Sequence, residues 1–360
     1  MIYIILYVYI MNNLPNIIFI ADNNHFRIWP GKTYYDLLTY VKNNNNQYNI
    51  SLFWTDTEES QIYNAINSMS PILIVFFITG CIKVECSKFM KVFQSKIPIA
   101  CAMLDMFFPS VGLNDYKLPN ALIHFGKNKY IENCYKHFFP TKCITSFNSR
   151  FINTNKFKNY NLPKTYDILL YGSRNYQYKF KKEPLEPIQH FIEKYETMHN
   201  VNITHDTDLY FYPLRHKLEQ IIIKYQDKYN IHILPESSIY NSPIVNEDLS
   251  KLINQSHITI ACSTIANVLM HKYLEIAASN SVILGDIPED YRELFKDNII
   301  EVDYFMSEDE ILNIIDNALQ NKNELKNMSE KLYQRIHNEH NLDCAVNNFN
   351  EVFQEISSNT

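Results

Sequence analysis

Glycine is scarce, with six residues in a chain of 360. A dinucleotide-binding fingerprint needs several glycines in one turn, for the tight bend and for close backbone approach to a pyrophosphate. No GxGxxG follows either strand that would open a domain, so a dinucleotide dehydrogenase is disfavoured. Paired cysteine motifs are missing too. The seven cysteines (Cys81, Cys86, Cys101, Cys134, Cys143, Cys262 and Cys344) include no CxxC and no paired histidine spacing, which argues against a zinc site. Reduced thiols in the cytoplasm are the simplest reading. There is no basic excess: a formal charge of -6 does not suit a surface that must neutralise a run of phosphates, and no nucleic-acid partner is expected. No long hydrophobic run is present either. The opening MIYIILYVYI is about half the length of a bilayer span and lacks the basic flank and cleavage site of a signal peptide. Residues 1–15 are read as an apolar leader that folding does not need, and no stable membrane insertion is expected.

What is present is the composition of a globular protein, 46% hydrophobic and 20% charged, in a chain longer than one core usually grows. Apolar runs of strand length alternate with helical periodicity. In the first half, strands are expected at 16–22, 50–55, 71–79, 97–104 and 121–125, with helices at 34–41, 58–66 and 88–93. The pattern fades near Thr145, and 146–164 is polar, rich in asparagine and carries Pro163. A second series starts with the strand of Tyr166-Asp167-Ile168-Leu169-Leu170-Tyr171-Gly172-Ser173. Helices follow at 188–195, 214–225, 247–254, 266–278 and 291–295, and strands at 231–235, 257–261, 281–285 and 299–302. Ser307 and Glu310 have capping-box spacing, which places a helix start there. The fold class is therefore α/β, with two Rossmann-like doubly wound domains. The expected organisation is a first domain at 16–150, a linker at 151–164, a second domain at 165–342 and a terminal helix at 343–360.

Ligands of doubly wound sheets bind outside the carboxyl ends of the strands. Gly172 would allow close backbone approach, and Arg174, after Ser173, offers a forked donor array for phosphate. Pro235 ends the next strand. Ser263 and Thr264 precede the helix expected at 266–278, where free amides and the helix dipole favour an anion. That helix carries Lys272 and Glu275 three residues apart, hence on one face. A cation there suits phosphate and a carboxylate suits ribose hydroxyls, although such a pair standing alone is usually a surface ion pair. Arg215 is a further candidate for the same phosphates.

The segment Lys272-Tyr273-Leu274-Glu275-Ile276-Ala277-Ala278, followed by an apolar strand and Asp286-Ile287-Pro288, resembles the donor site of the group-1 glycosyltransferases and the related spore-maturation-type transferases. The likeness runs over about 166–349. It implies the B-type fold, with the two domains facing across a cleft, and a hexosyltransferase-like enzyme that is metal-independent and has no cofactor. In those families the residue matching Glu275 contacts ribose, the turn matching Gly172-Ser173-Arg174 lies beside the phosphates, and terminal helices cross back to the first domain. The partners implied are a nucleotide-sugar donor and a glycan, protein or lipid-linked acceptor. Two positions depart from the pattern: Asn267 stands where many retaining members carry a glutamate, and Asn280 where a glycine is usual. The first domain also lacks a glycine-rich loop after its first strand.

In the first domain Asp22, His25 and Asp105 follow expected strands and are the candidates for the base that takes the acceptor proton, with purely structural roles as the alternative for each. The triplet Asp206-Thr207-Asp208 matches the metal-diphosphate signature of the other large transferase architecture, but it lies outside any strand end and is discounted. A non-catalytic protein with two lobes that binds a nucleotide sugar or another small ligand is the rival reading.

Overall fold

The computed structural model describes residues 14–23, 33–78, 88–103, 119–148, 150–179, 186–204, 207–236 and 244–359. They form two compact units. One runs to Phe151 and resumes at Leu342; the other is Ile152–Asn341.

The first unit is a six-stranded sheet of β1 (Asn16–Ala21), β2 (Asn49–Trp54), β3 (Leu73–Ile78), β4 (Ile99–Met103), β5 (Ala121–Phe125) and β6 (Cys143–Phe147), in the order β2-β1-β3-β4-β5-β6. All pairings are parallel. Continuous apolar runs such as Leu73-Ile74-Val75-Phe76-Phe77-Ile78 are fully buried, as strands covered on both faces must be. Alternate residues divide between the faces. Ile17, Phe19, Val75 and Phe77 pack with α1 (Thr33–Asn44), whereas Phe76 stacks on Phe93 of the short α3 (Met90–Phe93), which lies near α2 (Glu59–Met69). Beyond residue 125 the unit continues through α4 (Lys129–Phe138), capped by Asn128, whose side-chain oxygen accepts from Ile131 N at 2.9 Å.

The second unit is a five-stranded parallel sheet of β7 (Tyr166–Leu170), β10 (Ile231–Ile233), β11 (Ser256–Ile260), β12 (Val282–Gly285) and β13 (Ile300–Glu301), in the order β10-β7-β11-β12-β13. Helices cover both faces. Ile168, Leu170, Ile258 and Ile260 face α6 (Pro213–Lys224) and α10 (Glu308–Gln320). Leu169 and Ile283 face α7 (Asn246–Asn254), α8 (His271–Ala278), α9 (Arg292–Phe295) and α11 (Lys322–Glu339). Between β7 and α6 the chain makes an excursion: a two-stranded antiparallel ribbon of β8 (Gln177–Lys179) and β9 (Asp208–Tyr210), with α5 (Glu186–His199) between its strands. Residues 152–164 run along this unit, burying Ile152 and Phe157 in its core. The last helix, α12 (Leu342–Asn359), belongs to the first unit, where Phe349 stacks on Phe147 at 4.1 Å.

The capping box at Ser307 forms as its spacing predicts: Glu310 N donates to Ser307 Oγ at 3.2 Å and Ser307 N to Glu310 Oε2 at 2.7 Å. The helix expected at 266–278 is shorter. It starts at His271, because Asn267 takes a left-handed φ of 56° and Ile265 N is drawn to Phe211 O. The apolar leader lies outside the described residues except at its end. Among the described residues no helix is long and apolar enough to cross a bilayer.

Candidate functional site

In a sheet ordered β10-β7-β11 the direction of winding reverses between β7 and β11. The loops after those two strands diverge and leave a crevice at their carboxyl ends. Residues 171–175 leave β7 and residues 261–270 leave β11, so the segments singled out by sequence meet at this switch point.

Arg215, fully buried on α6, ties the two loops together: its Nη1 donates to Ser173 O and its Nη2 to Cys262 O, both at 2.9 Å. Its guanidinium lies 4.1 Å from the Tyr212 ring centroid. Each terminal nitrogen thus gives one of its two N–H groups to a carbonyl, and Nε has no partner among the described residues; the charge of Arg215 acts on the crevice from its wall. Arg174 is likewise engaged. Its Nε pairs with buried Glu219 at 2.5 Å, and its Nη1 donates to Gly172 O and Leu234 O. Glu236, just after Pro235, accepts from the amides of Arg174 and Asn175 at 2.7 and 3.1 Å, which fixes the turn. Burial raises the Glu236 carboxyl, but these donors outweigh it and hold the group below its ordinary value. Pro235 itself is exposed.

Ser263 and Thr264 do not form a helix tip. Ser263 N donates to Asp286 Oδ1 at 2.8 Å, Ser263 Oγ donates to Asp286 Oδ2, and Thr264 N turns to Val268 O. The amides expected to receive an anion are thus held by the protein. Asp286, which follows β12, also accepts from Tyr273 Oη at 3.0 Å, and burial pushes its carboxyl above the ordinary range. The helix tip that does face these loops is that of α8, whose N-cap Met270 makes no side-chain cap.

Lys272 and Glu275 stand in the first turns of α8 beside the end of β7. The Lys272 ammonium lies 3.6 Å from the centroid of the Tyr171 ring. A Cβ on Gly172, which has a φ of 84°, would sit 2.1 Å from Lys272 Nζ, so glycine serves both the left-handed backbone and the lysine's seat. Among the described residues the ammonium has no hydrogen-bond acceptor and no ion-pair partner. Burial, followed by the charges of Arg215 and Arg174, lowers its pKa to about 7 against the pull of Glu275. Glu275 Oε2 accepts from Tyr171 Oη at 2.8 Å, and Oε1 lies 3.5 Å from His271 Nδ1. Its side chain stays 15% exposed, so it lines an opening and is not packed into the apolar interior. Burial pushes the Glu275 carboxyl up, but His271, Lys272 and Tyr171 together hold it below its ordinary value.

Of the residues proposed for the first unit, Asp22 directly follows β1, is buried, and donates its amide to Phe77 O at 2.9 Å. His25 and Asp105 lie outside the described residues. Sequence reasoning gave no role to Tyr171, His271 or Glu219, and it quoted Asp286 as part of the segment resembling a donor site without giving it a role of its own. Asn267 turns its Oδ1 to Glu289 N at 3.2 Å. Asn280 has a φ of 59°, the conformation for which glycine is usual.

Two parallel, doubly wound units define the glycosyltransferase B-type fold, and solved structures bear this out. Sucrose-phosphate synthase from Thermosynechococcus elongatus matches with a TM-score of 0.58 at 8% identity, over 96% of this chain and 100% of that one. A glycosyltransferase from Rickettsia africae matches with a TM-score of 0.56 at 13% identity, over 97% and 100%. Anabaena HepE in complex with UDP-glucose matches with a TM-score of 0.55 at 10% identity, over 94% and 99%. At these identities the likeness carries the fold. Residues 189–351 match the family model described as glycosyl transferase-like. A search of the curated proteins finds no match.

Proposed function

We propose that the chain transfers a hexosyl group from a nucleoside-diphosphate sugar to a hydroxyl acceptor, with the donor seated at the ends of β7 and β11. The observation that carries this is the Lys272 ammonium: largely withdrawn from water, without an acceptor among the described residues, and three residues before a carboxylate that is itself partly exposed. Arg215 and Lys272 bring two positive charges to the switch point; Arg174 is paired with Glu219, Glu275 opposes Lys272, and burial favours the neutral form of Asp286. A diphosphate supplies the missing negative charge. That a fold neighbour is a complex with UDP-glucose supports this donor class.

In this reading Glu275 accepts from ribose hydroxyls. Tyr171 fixes one of its oxygens through a single lone pair, which leaves others for the ligand. Lys272 pairs with the phosphates and stabilises the diphosphate as the bond from the anomeric carbon to the phosphate oxygen breaks. The acceptor oxygen forms the new bond to that carbon and loses its proton to a base, for which Asp22, His25 and Asp105 are the candidates. The seven cysteines without CxxC make the cytoplasm the proposed compartment.

UDP-glucose and related nucleotide sugars should raise the melting temperature of the protein. Glu275→Ala should fold normally and lose that shift, and an undiminished shift in the variant would remove the proposed site. Steady release of nucleoside diphosphate identifies the enzyme, whereas saturable binding without release across the panel identifies the two-lobe binding protein.

A further inference from the structure

The excursion between β7 and α6 packs α5 and β9 against the outer side of α6 and leaves a cavity of about 360 Å³ there, within the range of small-ligand sites. It is separate from the Lys272 crevice. Arg215 on α6 serves that crevice, while His216, Lys217 and Gln220 of the same helix line the cavity. Its walls are aromatic. Phe191 and Tyr195 come from α5, Tyr304 from the segment after β13, and Tyr210 lies stacked on His216 with ring centroids 3.7 Å apart. Tyr195 and Tyr304 are near parallel, 22° between planes at 6.0 Å. These rings remain partly exposed and are not closed into the core.

The charged groups select among ligands. A cation is disfavoured, because the Lys217 ammonium already lies 5.3 Å from the Tyr304 ring centroid and donates to Tyr304 O at 2.6 Å and to Met306 O. An anion is disfavoured because Lys217 gives two of its three N–H groups to those carbonyls, while Asp208 and Glu308 stand in the wall. Glu308 is itself engaged by Lys224 and Tyr225. Asp208 and Gln220 have no side-chain partner among the described residues and can accept from or donate to hydroxyls. Flat apolar faces bordered by an unpaired carboxylate and an amide match a ring that carries C–H groups on its faces and hydroxyls on its edge. The geometry points to a second ligand site, for the pyranose ring of a neutral carbohydrate.

The test uses the full chain and titrates methyl β-glucoside, maltotriose and chitotriose by calorimetry and saturation-transfer NMR, with tetramethylammonium and inorganic phosphate as the competing chemistries. At least one neutral sugar should saturate. Tyr195→Ala should weaken it by roughly tenfold, Tyr195→Phe should retain most of the affinity, and Asp208→Asn should weaken it less than the alanine variant does. Tyr195 sits on a half-exposed helix face, so these variants test binding and not the core; the UDP-glucose melting shift, read on the same variants, should be unchanged. Failure of every sugar to saturate at tens of millimolar overturns the proposal, and so does saturation by tetramethylammonium or phosphate instead, or a sugar affinity indifferent to Tyr195. Loss of the nucleotide shift in the unmodified chain would count against the donor site and leave the sugar titration independent of it.

Discussion

Lys272 is a cation held where its charge is costly. With its pKa lowered to about 7 in the folded chain against 10.5 for the free group, the unfolded state binds more protons between those values. Stability therefore rises with pH across that window, and the cost of burying the charge is fully present below it. Relative to Lys272→Met, the unmodified protein should gain stability from about pH 7 to 10.5, as read by denaturant titration at each pH. Ligand binding runs the other way. The diphosphate of UDP-glucose does not titrate in this range, and it favours the charged lysine, so affinity should fall above pH 7 by at most about tenfold per pH unit while the methionine variant stays flat. A calorimetric proton uptake of zero at pH 8 would exclude Lys272 as the phosphate partner. Asn280 offers a second residue-scale prediction. It holds a left-handed φ of 59°, and its side-chain oxygen is buried with no partner among the described residues. Asn280→Gly relieves both, against some added freedom of the unfolded chain, and should stabilise by about 1 kcal/mol, seen as a higher melting temperature.

At the scale of elements, what could be read from sequence is what local chemistry decides. The capping box at Ser307 needs only residues within one turn, and it forms as spacing predicts. Ser307→Ala should cost about 1 kcal/mol, and a ΔΔG near zero by urea titration would show that α10 is held by packing alone. The start of α8 was not legible. Ile265, Ala266, Val268 and Leu269 are as buried as helix residues, so the apolar pattern runs on unbroken through what is a loop. The strands and helices that carry the site were readable because parallel strands are continuous apolar runs. Lys272 and Glu275 were readable because three residues on a helix define a face. Their setting was not: Tyr171 reaches Glu275 across 104 positions of sequence, and Asp286 takes the Ser263 amide from 23 away. The same distance effect hid how Arg174 and Arg215 are held, since their partners Glu219 and Cys262 become neighbours only when the sheet forms. Scarce glycine has its counterpart here as well, since five asparagines (Asn161, Asn200, Asn246, Asn267 and Asn280) hold positive φ among the described residues.

For the whole molecule, the telling fact is that α12 completes the sheet layer of the first unit, although all of the second unit separates it in sequence. Phe349 and Phe353 are fully buried there, packed on Phe19, Phe77 and Phe147. Asn45 and Asn350 are bonded at 2.7 Å across the same junction. A chain ending at residue 341 should lose hydrogen-exchange protection in β1, β3 and β5 and keep it in β7, β11 and β12. Retained protection in β1 and β3 would show that the sheet is self-sufficient. Synthesis on the ribosome inverts the customary order, in which the leading domain folds first. The nascent sheet must wait, its phenylalanines uncovered, until a further 190 residues of Ile152–Asn341 have emerged and the closing helix follows them. The leading unit is thus the last to mature, and during elongation it is the part most dependent on a chaperone.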